Sequence, residues 1–188
     1  MSSLIWAPIG FLLGAIPFSV WLGKLVLQTD IRSFGDGNPG GTNVIRAGNF
    51  GLGMLVIFLD MLKGAVPVAL AHYVFRADGW PLVPVMLAPI LGHAFSPFLG
   101  FHGGKALASA FGSWTALTVP FGPFVMGGSV LLFYKLLNTS GWAVMAALLT
   151  LLAFLAIAGL TLPLVATWVG TVAILIWTHR ADLRQRPV

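Results

Sequence analysis

The sequence contains no cysteine and no glutamate, and charged residues of any kind are scarce. Without cysteine the chain can form neither disulfides nor thiolate metal sites, and it cannot be palmitoylated. Only 8% of the 188 residues are charged, whereas 58% are hydrophobic, and the mean hydropathy is +0.95. An ordinary soluble domain carries about 25% charged residues. The composition therefore excludes a soluble protein and predicts a single membrane domain over residues 1–188.

The few charges are unbalanced, with ten lysines and arginines against five acidic residues. In a membrane protein such an excess reflects topology and attraction to anionic lipids, so we predict no nucleic-acid partner. The four histidines show no metal-ligand spacing. We therefore predict neither a metal site nor a cofactor.

Seven apolar segments predict an all-α integral membrane protein. A simple crossing needs about 20 residues, so the two shortest segments must tilt or sit in a thinned bilayer. Prolines interrupt the first and third segments, which predicts several short or bent helices. The predicted spans are residues 4–27, 50–74, 80–98, 106–119, 121–135, 142–158 and 164–178.

The basic residues predict the orientation of these spans. With seven crossings, Arg76 falls on one side, and every other basic residue except Lys63, which lies within a span, falls on the opposite side. The positive-inside rule then predicts an external N-terminus and a cytoplasmic C-terminus. Three polar segments, 33–46, 99–109 and 179–186, would share the cytoplasmic end. Their convergence predicts one composite site there.

The first polar segment, residues 33–46, has the composition of an anion-binding loop. Its glycines can adopt backbone angles closed to other residues, so successive N–H groups can surround one anion. Arg46 can add a bidentate contact to phosphate. The short polar side chains of Asn38, Thr42 and Asn43 either contact the ligand or brace the turn. The alternative is a plain connector between two helices.

The other polar features are sparser. Segment 99–109 is a second glycine-rich turn that carries Lys105, and segment 179–186 is a basic tail. Asp60 and Lys63 lie within the second span, three residues apart, so they share one helix face and can form an ion pair. A path through the membrane, as in a transporter, is the alternative interpretation of these two charges.

Taken together, these motifs resemble the three cytoplasmic motifs of the bacterial acyl-phosphate:glycerol-3-phosphate acyltransferases. The similarity covers essentially the whole chain in order and spacing. The family implies a seven-helix membrane fold, and transfer of an acyl chain from acyl phosphate to the 1-hydroxyl of glycerol 3-phosphate, which gives lysophosphatidate and phosphate. The matching residues are 33–46, Asp60, Lys63, Gly64, Gly92, His93, Gly103, Gly104, Lys105, Ala108, Ser109, His179, Arg180, Asp182 and the overlapping Leu183 and Arg184.

The resemblance implies a role for each matching site residue. The implied partners are acyl phosphate, glycerol 3-phosphate and membrane lipids, at the cytoplasmic face of a bacterial inner membrane. The implied catalytic side chains are Asp36, Arg46, Lys105, His179 and Asp182. The implied phosphate-binding residues are Ser33, Gly37, Asn38, Gly40, Gly41, Thr42, Asn43, Gly103 and Gly104.

Four residues depart from the family pattern, which makes this chain a divergent member. The family has Ser at Asp36, Ala at Gly41, Gly at Ala106 and Asn at Asp182. An Arg and a Ser that the family has between the fifth and sixth spans are missing or displaced, with Leu136, Thr139 and Ser140 nearby. The two aspartates place negative charge beside the expected phosphates, which would raise their pKa values or weaken binding. A transporter for an organic phosphate and a low-activity paralogue with a regulatory role stay open as alternatives.

The sequence also predicts a mechanism. It contains no apparent Ser-His-Asp or Cys-His set, so we expect the acceptor hydroxyl to attack acyl phosphate directly, without an acyl-enzyme. Such an enzyme must mainly hold both substrates in attack geometry and stabilise the developing charge. Two interpretations of Asp36 are open: a general base, or a cap for the backbone turn.

Overall fold

The structure, a computed structural model, describes residues 3–186. Over that range the chain forms nine α-helices and a few short 3-10 or π-helical turns, and contains no β-strand. The all-α prediction is therefore confirmed. The helices are α1 (Ser3–Ala15), α2 (Phe18–Val26), α3 (Gly41–Arg46), α4 (Phe50–Ala69), α5 (Leu82–Ala94), α6 (Leu107–Thr118), α7 (Gly122–Leu137), α8 (Ser140–Gly159) and α9 (Leu162–Thr178).

Four segments are long and apolar enough to cross a membrane: Ile5–Val26, Phe50–Val74, Leu82–Leu99 and Ser140–Gly159. The apolar segments Phe121–Leu137 and Leu162–Thr178 are shorter, and α6 has only 12 residues. Many large apolar side chains are exposed on the outer surface of the bundle, as a lipid-facing surface requires. Seven crossings and the orientation of the termini stay predictions.

The first predicted span is two helices, because Pro17 interrupts it between α1 and α2. The interruption leaves the carbonyl of Ile16 inside the protein, where Lys63 Nζ donates to it over 2.9 Å. Lys63 Nζ also lies 2.7 Å from Asp60 Oδ1, and both side chains are buried. The predicted ion pair is confirmed. It braces α4 against the end of α1.

Close helix crossings in the bundle depend on glycines that face a neighbouring backbone. A Cβ at Gly64 of α4 would strike the carbonyl of Ser109, and one at Gly112 of α6 would strike the carbonyl of Met61. Helices in membranes commonly approach through such small residues. The contacts hold the N-terminal half of α6, and with it the turn that carries Lys105, close against α4.

A buried apolar core fixes α5, α6 and α9 relative to one another. Trp114 of α6 is buried, and its Nε1 donates to Thr171 Oγ1 of α9 over 3.2 Å. Met86 and Ile90 of α5 and Leu175 of α9 belong to the same core cluster. The turn before α6 contacts the last residues of both neighbours: the Gly103 N–H donates to the carbonyl of Ala94 in α5, and Thr178 Oγ1 of α9 donates to the carbonyl of Lys105.

Single-cysteine labelling tests the predicted orientation, and the cysteine-free chain needs no background mutations. His102 and Asp78 are both exposed, at opposite ends of the bundle. We expect His102→Cys to react with a membrane-impermeant thiol reagent only after sealed cells are opened, and Asp78→Cys to react in sealed cells. His102 is preferable to Gly103, where a Cβ would strike the carbonyl of His93. Labelling of His102→Cys in sealed cells would contradict a cytoplasmic site.

Candidate active site

The three polar segments meet at one end of the bundle, and Lys105 joins them. Lys105 lies in the turn between α5 and α6, and its Nζ is 2.7 Å from Asp36 Oδ2 in the first segment. The same Nζ is 2.7 Å from Asp182 Oδ2 in the tail. One ammonium group thus links parts of the chain that are separated by most of its length. The predicted convergence of the three segments is confirmed.

The backbone of Lys105 is also held, by one hydrogen bond to its N–H and one to its carbonyl. Its N–H donates to Asn38 Oδ1 over 2.9 Å, and its carbonyl accepts from Thr178 Oγ1 at 3.0 Å. The amides of Gly103 and Gly104 donate to carbonyls at the end of α5 over 3.1 and 3.0 Å. The position of the Lys105 ammonium is therefore set by three separate elements before any ligand binds.

Two positions of the turn before α6 are constrained, one by a close contact and the other by its backbone conformation. Gly104 is buried, and a Cβ there would strike Nε2 of His93. Ala106 has a φ of +60°, a left-handed conformation that costs an alanine roughly 1–2 kcal/mol. The glycine that the family pattern has at this position would adopt that conformation without strain. The departure at Ala106 therefore preserves the shape of the turn at a cost in stability.

The first polar segment is more ordered than the predicted loop, because its second half is the short helix α3. Gly41 begins this helix, and a Cβ there would come within 2.6 Å of the carbonyl of Gly53 in α4. Two glycines thus allow α3 to lie directly on α4. Gly37 has a φ of +74°, which turns the chain toward this helix.

Asp36 braces this segment from within. Its Oδ1 accepts from the N–H of Asn38 at 3.2 Å and from Asn43 Nδ2 at 3.0 Å. Asn43 Oδ1 in turn accepts from Arg46 Nη1 at 2.9 Å, and the same Nη1 lies 3.7 Å from Asp36 Oδ1. With Oδ2 on Lys105, both carboxylate oxygens are engaged. The geometry supports the turn-cap interpretation of Asp36.

The charges of the cluster stabilise one another. Burial alone would raise the pKa of Asp36, but the hydrogen bond and the charge of Lys105 outweigh burial and hold the pKa at about 2. In the same way Lys105 lowers the pKa of Asp182, and the two carboxylates raise the pKa of Lys105 against the effect of burial. A carboxylate with so low a pKa is a poor general base near neutral pH.

His179 lies buried beside this cluster, at the end of α9. Its Nδ1 is 2.9 Å from the carbonyl of Leu175 and 3.2 Å from Thr178 Oγ1. Burial lowers the pKa of His179. The ring is therefore neutral at pH 7, and since a carbonyl can only accept, Nδ1 carries the hydrogen and Nε2 is the acceptor.

Two predicted residues lie outside the network, and two contributors, Thr178 and Ser140, are not among the predicted site residues. Ser33 Oγ donates to the carbonyl of Asp30 over 2.7 Å, and Thr42 is exposed, with no side-chain hydrogen bond to any residue between 3 and 186. By contrast, Ser140 Oγ donates to Asp182 Oδ2 over 2.6 Å. The signal for Ser140 in the sequence is its place just before the sixth predicted span, near the serine that the family has between the fifth and sixth spans.

Comparison with known proteins decides the family. A sequence profile described as glycerol-3-phosphate acyltransferase matches residues 4–186. The chain belongs to the glycerol-3-phosphate acyltransferase family. The glycerol-3-phosphate acyltransferase of Erythrobacter litoralis (strain HTCC2594) is 36% identical over 96% of this chain and 89% of its own length. That of Aquifex aeolicus (strain VF5) is 34% identical over 98% of this chain and 95% of its own length.

Solved acyltransferase structures share the fold. A crystal structure of PlsY (YgiH), an integral membrane glycerol 3-phosphate acyltransferase, in its glycerol 3-phosphate form, matches with a TM-score of 0.89 and 34% identity, over 98% of this chain and 91% of that one. The lysophosphatidic acid form matches with a TM-score of 0.87 and 33% identity, with the same coverage. The resemblance in the sequence is confirmed, and the chain is a membrane acyltransferase.

The hydrogen bond between the first two motifs of this acyltransferase can be tested by mutation. Asn38→Ala removes the acceptor for the N–H of Lys105, and we expect a loss of about 0.5–1.5 kcal/mol in the free energy of unfolding. For a chain of this size that corresponds to a Tm about 2–4 °C lower per kcal/mol, measured by tryptophan fluorescence in detergent. Thr42→Ala, in the same segment and without such a bond, is the control. An equal Tm for both variants would contradict this role of Asn38.

Proposed function

We propose that the protein transfers an acyl chain from acyl phosphate to the 1-hydroxyl of glycerol 3-phosphate, and releases lysophosphatidate and phosphate. The observation that carries the proposal is the junction at Lys105, where three polar segments form a basic site at the end of an apolar helical bundle. Both substrates carry phosphate, and one carries a long apolar chain. Membership of the family supports the same acceptor.

The two cations of the site are placed to bind phosphate. The side chain of Arg46 is 50% exposed and that of Lys105 is 24% exposed, so a ligand can reach both. Arg46 offers a planar fork of donors, and Lys105 offers a compact charge. The N–H groups of Gly37 and Gly40 already donate to carbonyls within the first segment, and that of Asn38 donates to Asp36. The two cations are therefore the donors that this proposal assigns to phosphate.

Acyl phosphate is already activated, so the reaction needs no covalent enzyme intermediate. The 1-hydroxyl attacks the carbonyl carbon, the new ester bond forms, and the bond between that carbon and the phosphate oxygen breaks. The proton of the hydroxyl leaves with the released phosphate. Arg46 and Lys105 stabilise the charge that develops on the carbonyl oxygen and on the departing phosphate. His179 Nε2, as an acceptor, holds the attacking hydroxyl. Alignment of the two substrates supplies the rest of the rate enhancement.

We place this chemistry at the cytoplasmic face of a bacterial inner membrane. The basic residues of the site support that orientation through the positive-inside rule. An apolar surface along the helices lets the acyl chain stay in the lipid while the phosphate reaches the site.

One observation favours the alternative of a low-activity paralogue. Lys105, the central cation, already contacts two carboxylates, so a phosphate meets more negative charge here than at a site without Asp36 and Asp182. An assay of turnover distinguishes the two proposals.

That assay uses the purified protein in lipid, with acyl phosphate and labelled glycerol 3-phosphate, and identifies the product by mass spectrometry. We expect lysophosphatidate acylated at the 1-hydroxyl. A parallel reaction with acyl-CoA tests the donor, and we expect no product from it. Product from acyl-CoA alone would contradict the proposed donor, and no product from either would favour the low-activity paralogue.

Removing either cation tests the phosphate site. We expect Arg46→Ala and Lys105→Ala each to weaken the use of phosphate-bearing substrates strongly, because a hydrogen bond to a charged group is worth about 1.5–3 kcal/mol, or roughly a 10- to 150-fold loss in kcat/KM. Arg180→Ala is the control, since Arg180 is basic and exposed at the same end but stacks on Trp177 instead. Unchanged kcat/KM in both test variants would show that Arg46 and Lys105 only help to set the orientation of the protein in the membrane.

Two substitutions separate the interpretations of Asp36. With a pKa of about 2, Asp36 stays ionised at any pH above about 4. Its titration should therefore cause no fall in the reaction rate between pH 8 and pH 5. We expect Asp36→Asn to retain turnover, because its amide oxygen can still accept from Asn38 and Asn43, and Asp36→Ser to match or exceed the wild-type rate. Loss of turnover in both variants, with a wild-type rate that falls at acid pH, would instead identify a general base.

A further inference from the structure

Lys105 is already paired with anions, although the proposed function needs the same ammonium for substrate phosphate. Its Nζ contacts Asp36 Oδ2 and Asp182 Oδ2, each at 2.7 Å. The nearby second cation, Arg46, lies 3.7 Å from Asp36 Oδ1. Two cations thus face two carboxylates, and the cluster has no net positive charge. A phosphate dianion that approaches Lys105 is repelled by both carboxylates unless one of them withdraws.

The two carboxylates differ in how they are anchored. Asp36 accepts from the N–H of Asn38 and from Asn43 Nδ2, inside a segment that packs on α4. Asp182 has one other hydrogen-bond partner among the described residues, Ser140 Oγ at 2.6 Å. Withdrawal of Asp36 would break four contacts, three of them within the first segment, whereas withdrawal of Asp182 breaks two contacts. We therefore expect Asp182, and not Asp36, to move away from Lys105 when a phosphate binds.

The turn that carries Asp182 is itself a small unit resting on the start of α8. Asp182 begins a one-turn 3-10 helix, Asp182–Arg184. Trp142 Nε1 donates to the carbonyl of Gln185 over 3.0 Å, and a Cβ at Gly141 would lie 2.9 Å from the Cβ of Asp182. Asp182 therefore packs directly against Gly141 at the start of α8.

We propose that Asp182 is a built-in competitor for phosphate at Lys105, and that it sets the affinity of the site for phosphate groups. The inference rests on the proposed function, in which Lys105 binds substrate phosphate. The competitor acts on every ligand that presents a phosphate group to Lys105, including inorganic phosphate as product. It therefore weakens binding in the ground state and lets the released phosphate leave.

Calorimetric titration of inorganic phosphate into the purified protein in lipid nanodiscs tests the proposal without turnover. We expect Asp182→Asn to lower the Kd for phosphate by about tenfold or more, since it removes one charged contact to Lys105 and the repulsion with it. The control is Asp30→Asn. Asp30 pairs with Arg32 at 2.6 Å at the same end of the bundle, so this variant removes an equal charge without touching Lys105. Its Kd should equal that of the wild type.

A second variant keeps the carboxylate and moves it. Gly141→Ala places a methyl group against Asp182 and displaces the turn, so it should also lower the Kd for phosphate. Tryptophan-fluorescence melting identifies which variants are folded. A phosphate Kd in the folded variants that equals or exceeds the wild-type value would overturn the proposal, and so would undetectable binding throughout. Failure of the proposed function would appear separately, as the absence of lysophosphatidate in the acyl phosphate assay.

Discussion

The ion pairs of Lys105 are the interaction on which the site depends. A single ammonium between Asp36 and Asp182 connects the first polar segment to the C-terminal tail, and its own backbone is fixed by Asn38 and Thr178. Val44 of the first segment is buried in a small apolar cluster, and Leu99 of the second segment packs against the same cluster. The bonds to Lys105 then join all three segments, at the end of a bundle that holds their helices in place.

The helical bundle brings the three polar segments together through small residues at helix crossings and a buried apolar core. Gly64 and Gly112 let α4 and α6 approach to backbone contact, and Trp114 joins α6 to α9. The buried pair of Asp60 and Lys63 supports the break in the first span. Charges at the polar end are therefore held by rigid helices, which is the condition for electrostatic stabilisation without reorganisation.

Much of this architecture was predictable from the sequence, because apolar run length identifies membrane helices and the glycine-rich motifs identify the polar segments. The pairing of Asp60 with Lys63 followed from helix periodicity. The short helix α3 was not predictable, because it depends on Gly41 meeting Gly53 of another element. Ser140 lies near a serine of the family pattern but was outside the predicted site for the same reason: its contact depends on the approach of Asp182, which local sequence does not encode.

The central claim is that the ammonium of Lys105 is the point at which the three segments bind substrate phosphate. The most direct measurement is the Kd of glycerol 3-phosphate for the purified wild-type protein and for Lys105→Met, by calorimetry in nanodiscs, with no acyl donor present. The account predicts clear binding to the wild type and a loss of at least about tenfold in Lys105→Met, because one charged hydrogen bond is removed. Equal affinities in two folded proteins would contradict it.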